Sequence, residues 1–315
     1  MLLIILTAFL TSQLILPALL CYVLTIVLVP ASMKMAHLLN AVDMPGDIKI
    51  HHHATPRLGG LAIFMSVLIT MTLFPSLTKS LPLNGKILII LSLSAIFLLG
   101  AIDDILNLRV RTKLALQIVC TLMAGMGIAI FYPSTQVAQL IIVCLFILLF
   151  TNSFNLIDGM DGLAGSLAMI LAFAIGLIAS LTQNHFVLLI SILIASCSTG
   201  FLFYNLNPAR VFLGDCGSTF IGFALAILLS MLWLNSVHRF AFLPLIVLAS
   251  VPLFDTFLVM VKRKIRGEPL FVGDRNHSYD VLLQKGFTVH QTLAILCVIS
   301  AILASLGVYI FLLLT

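Results

Sequence analysis

The chain has 315 residues, of which 62% are hydrophobic and 9% charged, and its mean hydropathy is +1.23. That composition excludes an ordinary soluble domain. A formal charge of +5 raises the question of nucleic acid, but the basic residues sit in short clusters between apolar runs, so membrane topology explains them better.

Apolar runs long enough to cross about 30 Å of hydrocarbon recur along the whole length, predicting an all-α, polytopic membrane protein forming a single integral domain over residues 1–315. About ten transmembrane helices are expected, near 8–33, 58–76, 86–102, 114–132, 136–152, 163–182, 186–204, 217–236, 240–261 and 291–313. No lysine or arginine precedes Lys34, so the first run is expected to remain as a helix, without serving as a cleaved leader. The six cysteines form no close pairs and suggest small packing residues.

With these spans, 13 of the 16 Lys and Arg fall on one face and 3 on the other. The rich face is expected to be cytoplasmic, with both termini outside and the protein in the cell (inner or plasma) membrane. Trp233 and Tyr132 fall near outer helix ends, where interfacial aromatics are common. Ten of the eleven acids gather on or at the boundary of the cytoplasmic face as well, which the charge rule does not require. Only Asp255 lies within a span. An active site on that face is the simplest reading.

The motifs follow in chain order. DMPGDIKIHHHATPRLGG, residues 43–60, is a structured loop carrying Lys49, three histidines and Arg57; adjacent histidines rarely point at one ion, so no zinc site is expected. GAIDDILNLRVRTK, residues 100–113, sets Asp103 and Asp104 at a membrane boundary, where acids need a partner or a metal. Arg109, Arg111 and Lys113 supply one way to neutralise them; the sharper alternative has the acids facing a cation and the lysine a phosphate.

TNSFNLIDGMDGLAG, residues 151–165, places Asn152, Asn155, Asp158 and Asp161 at three-residue spacing, so that their oxygens share one side of a turn. FYNLNPARVFLGDCGS, residues 203–218, brings Asn205, Phe212 and Asp215 to a Gly-Asp-x-Gly-Ser turn that opens a helix, a turn suited to an anion and, through its Asp, to a metal. KRKIRGEPLFVGDRNHSYD, residues 262–280, adds Asp274, Arg275 and His277 beyond a basic cluster. Five loops thus carry carboxylates, amides, glycine turns and cations to one face. This suits an anionic substrate bridged by a divalent ion, with Mg²⁺ favoured over zinc and Mn²⁺ as its alternative, because the donors are oxygens.

The segments PRLGG (56–60), the Asp103–Asp104 pair with Lys113, NSFNLIDGMDGLAG (152–165), NLNPARVFLGDCGS (205–218) and DRNH (274–277) resemble, in the same order, the polyprenyl-phosphate N-acetylhexosamine-1-phosphate transferases. The resemblance implies a UDP-sugar and undecaprenyl phosphate as substrates in the membrane lipid, with UMP released and no nucleic acid involved; a homodimer is left open. It further implies Asp215 as a metal ligand with Asn155 as a second. Asn152, Asp158, Asp161, Asn205 and Phe212 fall to the nucleotide-sugar pocket, with Phe212 stacking on uracil. Asp103 and Asp104 fall to the lipid phosphate, and Lys113, Arg275 and His277 to the diphosphate and sugar, with Lys49 also assigned to substrate.

One departure stands out. Where the branch that handles phospho-N-acetylmuramoyl-pentapeptide has a histidine run followed by an acid, this chain has HSYD (277–280). That argues against the peptidoglycan-precursor donor and leaves the amino sugar open; UDP-N-acetylglucosamine is expected first, on frequency, ahead of other UDP-N-acetylhexosamines. A lipid-linked anion transporter is the alternative from another class. A phosphatidyltransferase using CDP-activated alcohols is disfavoured, because no acid follows Asp161 before Asp215.

Overall fold

The structure is a computed structural model describing residues 12–44, 54–75, 82–267 and 277–315. Seven helices make up most of the bundle: α1 (Ser12–Leu38), α3 (Leu83–Leu106), α4 (Val110–Phe131), α5 (Val137–Leu156), α6 (Leu163–Leu181), α7 (His185–Asn205) and α8 (Gly214–Asn235). Between the first two lies α2 (Gly59–Leu73), and after the last come α9 (Phe242–Leu248), α10 (Ser250–Arg266), a short α11 (Ser278–Gln284) and α12 (Val289–Leu314). Among the described residues eight helices are long and apolar enough to cross a bilayer, or nine if α9 and α10 form one span. The run expected at 58–76 yields only the 15 residues of α2, short of the roughly 20 that a straight crossing needs.

Two departures have local causes. The run expected as one helix at 240–261 is broken at Ala249, where α9 and α10 meet at 77°. Pro252 has no N–H to donate to the Leu248 carbonyl, and its ring crowds that oxygen, so one straight helix is not available there. Second, a two-residue antiparallel pairing interrupts the all-α plan, with Val42 opposite Pro56 and Asp43 opposite Thr55. It folds the loop after α1 back toward the start of α2.

Helix α8 is the centre of the bundle. Of its most apolar stretch 94% is buried, against 22% in α1, and it packs against α2, α3, α5, α6 and α7. Small residues make this possible. A Cβ added at Gly60 would collide with the backbone of Gly217, one added at Gly100 would lie 2.5 Å from the Asp215 carbonyl oxygen, and one at Gly222 would lie 2.7 Å from Phe154 Cβ. The first turn of α8 is thus gripped between α2 and α3 at backbone distance. Trp233, expected at an interface, is instead buried at the other end of α8 with its ring centroid 4.8 Å from that of Phe242.

The polar helix ends converge. The ends of α3 and α5 and the starts of α4 and α8 meet in hydrogen bonds joining Asp104, Lys113, Asn155 and Asp215, and the end of α7 is tied to the start of α6 by Asn205, which accepts Gly162 N–H. Polar side chains stand near these ends: Asp103 and Asp104 in α3, Asn155 in α5, Asn205 in α7, Lys113 in α4 and Asp215 in α8.

The grip on α8 is testable by a paired substitution. Gly100→Ala forces atoms against the Asp215 backbone and is expected to cost roughly 1–3 kcal/mol, as overpacking does. Gly176→Ala meets its nearest neighbour at an ordinary 3.4 Å and is expected to change stability by no more than about 0.5 kcal/mol. Thermal unfolding of the two purified variants in detergent checks the contrast.

Candidate active site

Asp104 makes the contact that organises the site. Its two carboxylate oxygens accept the backbone N–H groups of Asp215 and Cys216, both at 2.9 Å. These are donors of the first turn of α8, which has no partner within its own helix. Leu213, preceding that helix, provides no side-chain cap, so Asp104 supplies the cap from α3. Gly214 makes the entry turn at φ +73°, and a Cβ there would strike the Arg57 carbonyl.

The loop before α2 closes over this junction. Gly59 N–H donates to the Phe212 carbonyl (3.0 Å), Gly60 N–H to the Leu213 carbonyl (2.8 Å) and Phe212 N–H to the Pro56 carbonyl (2.8 Å). Arg57 then lies between two acids, 3.3 Å from Asp43 and 3.6 Å from Asp104. Burial opposes its charge, but Asp104, Asp43 and Asp215 outweigh burial and hold its pKa above the ordinary arginine value.

Lys113, on the first turn of α4, bridges the next pair. Its Nζ is 2.7 Å from Asp103 Oδ2 and 3.0 Å from Asp215 Oδ2. The other Asp103 oxygen accepts Leu108 N–H at 2.7 Å. Of the three basic residues that the sequence offered to these acids, Lys113 takes the role, while Arg109 and Arg111 stay exposed. On the far side of Asp215, the Asn155 amide N–H group donates to Oδ1, and also to Ser218 Oγ at 2.8 Å. Asn155 therefore enters as a donor, with its own oxygen left without a hydrogen bond among the described residues.

Asp158 differs from the others. It lies in the loop between α5 and α6 and keeps part of its surface accessible; its backbone N–H donates to the Asn155 carbonyl at 3.3 Å, while its carboxylate accepts no hydrogen bond from a described residue. Burial raises its pKa well above the ordinary carboxylate value, and the charges of Asp215, Asp104 and Asp161 add to the shift. Four carboxylates, at 103, 104, 158 and 215, thus share two cations, Arg57 and Lys113. Among the described residues the excess is negative, and it is concentrated where the Asp158 carboxylate has no donor.

Other expected site residues serve the scaffold. Asn205 is buried, with Oδ1 accepting Gly162 N–H (3.1 Å) and its amide donating to the Val211 carbonyl (2.8 Å). Both polar ends are used, so in this structure it clamps two loops. Asp161 does similar work, one of its oxygens accepting Asn207 Nδ2 (2.9 Å) and Ala209 N–H (3.0 Å). Asn152 ties α5 to α4 by donating to Gln117 Oε1 at 3.0 Å. Phe212 is half-buried beside Gly59. Lys49 and Arg275, expected at the substrate, lie outside the described residues.

His277 is held apart from the carboxylate cluster by its own set of partners. Its Nδ1 is 2.7 Å from Asp255 Oδ2, and its ring stacks on Tyr279 with centroids 5.2 Å apart. Tyr279 in turn places its hydroxyl against Gly159, next to Asp158, where a Cβ would collide with it. The His277 segment is thereby joined to the Asp158 loop. Arg57, Asp255 and Tyr279 had no assigned site role in the sequence reading, although Arg57 stood out as the basic residue of PRLGG and Asp255 as the only acid within a span; Ser218 entered only as the hydroxyl of the Gly-Asp-x-Gly-Ser turn.

The model for glycosyl transferase family 4 matches residues 86–233, which contain Asp103, Lys113, Asn155, Asp158 and Asp215. The chain is 30% identical over 287 residues to a probable undecaprenyl-phosphate N-acetylglucosaminyl 1-phosphate transferase of Bacillus subtilis (strain 168), covering 88% of this chain and 79% of that protein. This chain belongs to glycosyl transferase family 4. Further relatives include the decaprenyl-phosphate N-acetylglucosaminephosphotransferase of Mycobacterium tuberculosis (strain ATCC 25618 / H37Rv), 30% identical over 83% of this chain and 74% of its own length. The undecaprenyl-phosphate alpha-N-acetylglucosaminyl 1-phosphate transferase of Escherichia coli (strain K12) is 26% identical over 87% and 78%.

The unpartnered acid gives this family 4 transferase a pH signature. A carboxyl with a raised folded pKa binds its proton more tightly in the folded chain. Its contribution to stability is then fully present below the unfolded value near 3.9 and is lost as pH rises through the folded value. Asp158→Asn removes the charge. In EDTA it is expected to raise the melting temperature by roughly a few degrees at pH 8 and to leave it unchanged at pH 4; an equal gain at both would contradict this origin.

Proposed function

We propose that the chain transfers N-acetylglucosamine-1-phosphate from UDP-N-acetylglucosamine to undecaprenyl phosphate, giving undecaprenyl-diphosphate-N-acetylglucosamine and UMP. Such a product begins a cell-envelope glycan. The observation that carries this reading is the carboxylate cluster with an unbalanced negative charge, set at the polar ends of membrane helices in a family 4 chain. It is supported by relatives named for N-acetylglucosamine-phosphate transfer to polyprenyl phosphates.

The problem for catalysis is the meeting of two anions. A phosphate monoester has its second pKa near 6, so the lipid phosphate is already ionised at neutral pH and needs little help from a base. In the proposed step its oxygen attacks the sugar-linked phosphorus, and the bond from that phosphorus to the UMP oxygen breaks, UMP leaving as the anion. Both Asp103 oxygens are engaged, one by Lys113 and the other by Leu108 N–H, which suits orientation of the nucleophile more than proton removal. Lys113 and Arg57 offset part of the charge, and positioning supplies the remainder of the effect.

The donor chemistry fits a hard divalent cation: the candidate ligands are oxygens, and among the described residues the Asp158 carboxylate has no hydrogen-bond donor and four acids outnumber two cations. Asp215, the Asn155 oxygen and Asp158 would hold Mg²⁺, with Mn²⁺ as a substitute; Asp215 would exchange a contact with Lys113 or Asn155 to do so. The bound ion supplies charge neutralisation at the diphosphate. Placement of this face toward the cytoplasm follows from the skew of Lys and Arg toward the loops of the polar end.

Purified protein given UDP-N-acetylglucosamine and undecaprenyl phosphate is expected to release UMP, to stop in EDTA and to recover with Mg²⁺. Asp215→Asn is expected to lower turnover by roughly 10²- to 10³-fold, the scale seen when one electrostatic group is removed from an active site. A panel of UDP-sugars checks the donor, with UDP-N-acetylglucosamine preferred. Turnover indifferent to chelation would overturn the metal, and the absence of UMP release under every donor would leave the anion transporter as the better reading.

A further inference from the structure

Ser218 stands in the site without a part in the transfer mechanism. It is buried in the first turns of α8, and its hydroxyl makes two hydrogen bonds: Oγ donates to the Gly214 carbonyl at 2.9 Å and accepts from Asn155 Nδ2 at 2.8 Å. The first is the back-bond of a serine to the carbonyl four residues earlier, and packing alone would account for it. The second reaches across to α5. One turn further along α8, a Cβ at Gly222 would lie 2.7 Å from Phe154 Cβ and 3.3 Å from Thr151 Cα. The two helices therefore meet at backbone distance beside the Ser218–Asn155 pair, which fixes their register there.

The partners of Asn155 decide which way round its amide stands. A hydroxyl carries one hydrogen, and with it spent on the Gly214 carbonyl the Ser218 oxygen has only lone pairs to offer. Asp215 Oδ1, the other partner of Nδ2, is a carboxylate oxygen and accepts as well. Both Nδ2 hydrogens are thus directed at acceptors. The reverse orientation would press the amide oxygen against the Asp215 carboxylate, oxygen against oxygen. In the orientation held, Asn155 Oδ1 accepts no hydrogen bond from a described residue, yet it is not among the sealed polar atoms that lack one. It shares one planar amide with the nitrogen that touches Asp215, so it lies open beside that carboxylate.

We propose that Ser218 is a positioning residue for the divalent cation: its oxygen holds the Asn155 amide so that Oδ1 is presented as a ligand beside Asp215. The inference rests on the proposed reading in which Asp215 and the Asn155 oxygen hold Mg²⁺. Of the two contacts that orient the amide, the one to Asp215 is exchangeable, because that carboxylate is itself a candidate ligand. The one to Ser218 is not. With Asp215 Oδ1 turned to an ion, the Ser218 contact is what keeps Nδ2 facing away and the oxygen facing in. Without it the amide is free to turn about its Cβ–Cγ bond and to offer either end.

A serine that only packs α8 and one that orients a ligand predict different outcomes. Ser218→Ala removes the acceptor while keeping a good helix former. The purified protein is titrated with Mn²⁺ alone, the free ion being followed by electron paramagnetic resonance, and site binding is the part lost in Asp215→Asn. Ser218→Ala is expected to bind about 10- to 100-fold more weakly than wild type, the scale seen when a group that orients a metal ligand is removed. Its melting temperature in EDTA should stay within roughly 4 °C of wild type. Because Ser218 acts through the amide, the double variant with Asn155→Ala should bind no more weakly than Asn155→Ala alone. Wild-type affinity in Ser218→Ala, or equal losses in the two backgrounds, would overturn the proposal. Should Ser218→Ala not fold, the wild type decides. Nitrogen-15 NMR of asparagine-labelled protein, with the side-chain signal assigned by its loss in Asn155→Ala, should show both amide hydrogens protected from exchange with water, and free exchange of either would overturn it. Absence of Mn²⁺ binding by the wild type would sink the metal reading itself, and protection of the amide would still report on Ser218.

Discussion

The site depends on one arrangement: a carboxylate on α3 capping the first turn of α8. A helix start leaves several backbone N–H groups without partners, and inside a bundle no water is at hand to satisfy them. Asp104 takes two of them. That contact places Asp215 at the head of the central helix, beside Asp103 and within reach of Lys113 and Asn155. It works only because Gly60 and Gly100 let two neighbouring helices approach α8 at backbone distance. Capping, close packing and the disposition of the acids are therefore a single constraint.

From that constraint comes the electrostatic character of the site. The two cations are spent on particular acids, Arg57 on Asp104 and Asp43, Lys113 on Asp103 and Asp215. Asp158 receives none of this and lies near the other acids. A cluster with an excess of negative charge among its described residues is a poor receptor for a diphosphate alone and a good one for a diphosphate with a divalent ion. The scaffold residues explain how such repulsion is tolerated: Asn205 and Asp161 lock the loops around it with paired hydrogen bonds.

Hydropathy made the helical bundle legible, because continuous apolar runs have few other uses. The helix ends were less so: Asp103, Asp104 and Asn155 read as loop residues, whereas they occupy the last turns of α3 and α5. The single expected helix at 240–261 hid a break that depends on where Pro252 meets the Leu248 carbonyl. The site residues were identifiable by chemistry and spacing, but not their division of labour. Nothing in the sequence distinguishes an amide that meets a ligand from one, like Asn205, whose two ends are consumed by backbone. Asp255 was visible as an isolated intramembrane acid, yet its partner is brought to it only by the bend before α10.

The most direct measurement of the central claim is the thermal stability of Asp104→Asn beside Asp103→Asn, in detergent and without substrate. An asparagine at 104 retains one acceptor and places an N–H group against another N–H group, so loss of the cap is expected to cost roughly 1–2 kcal/mol or more and to lower the melting temperature by several degrees. Asp103→Asn, whose partners are a lysine and one loop N–H, is expected to melt within a degree or two of wild type. Wild-type stability in Asp104→Asn would contradict the account.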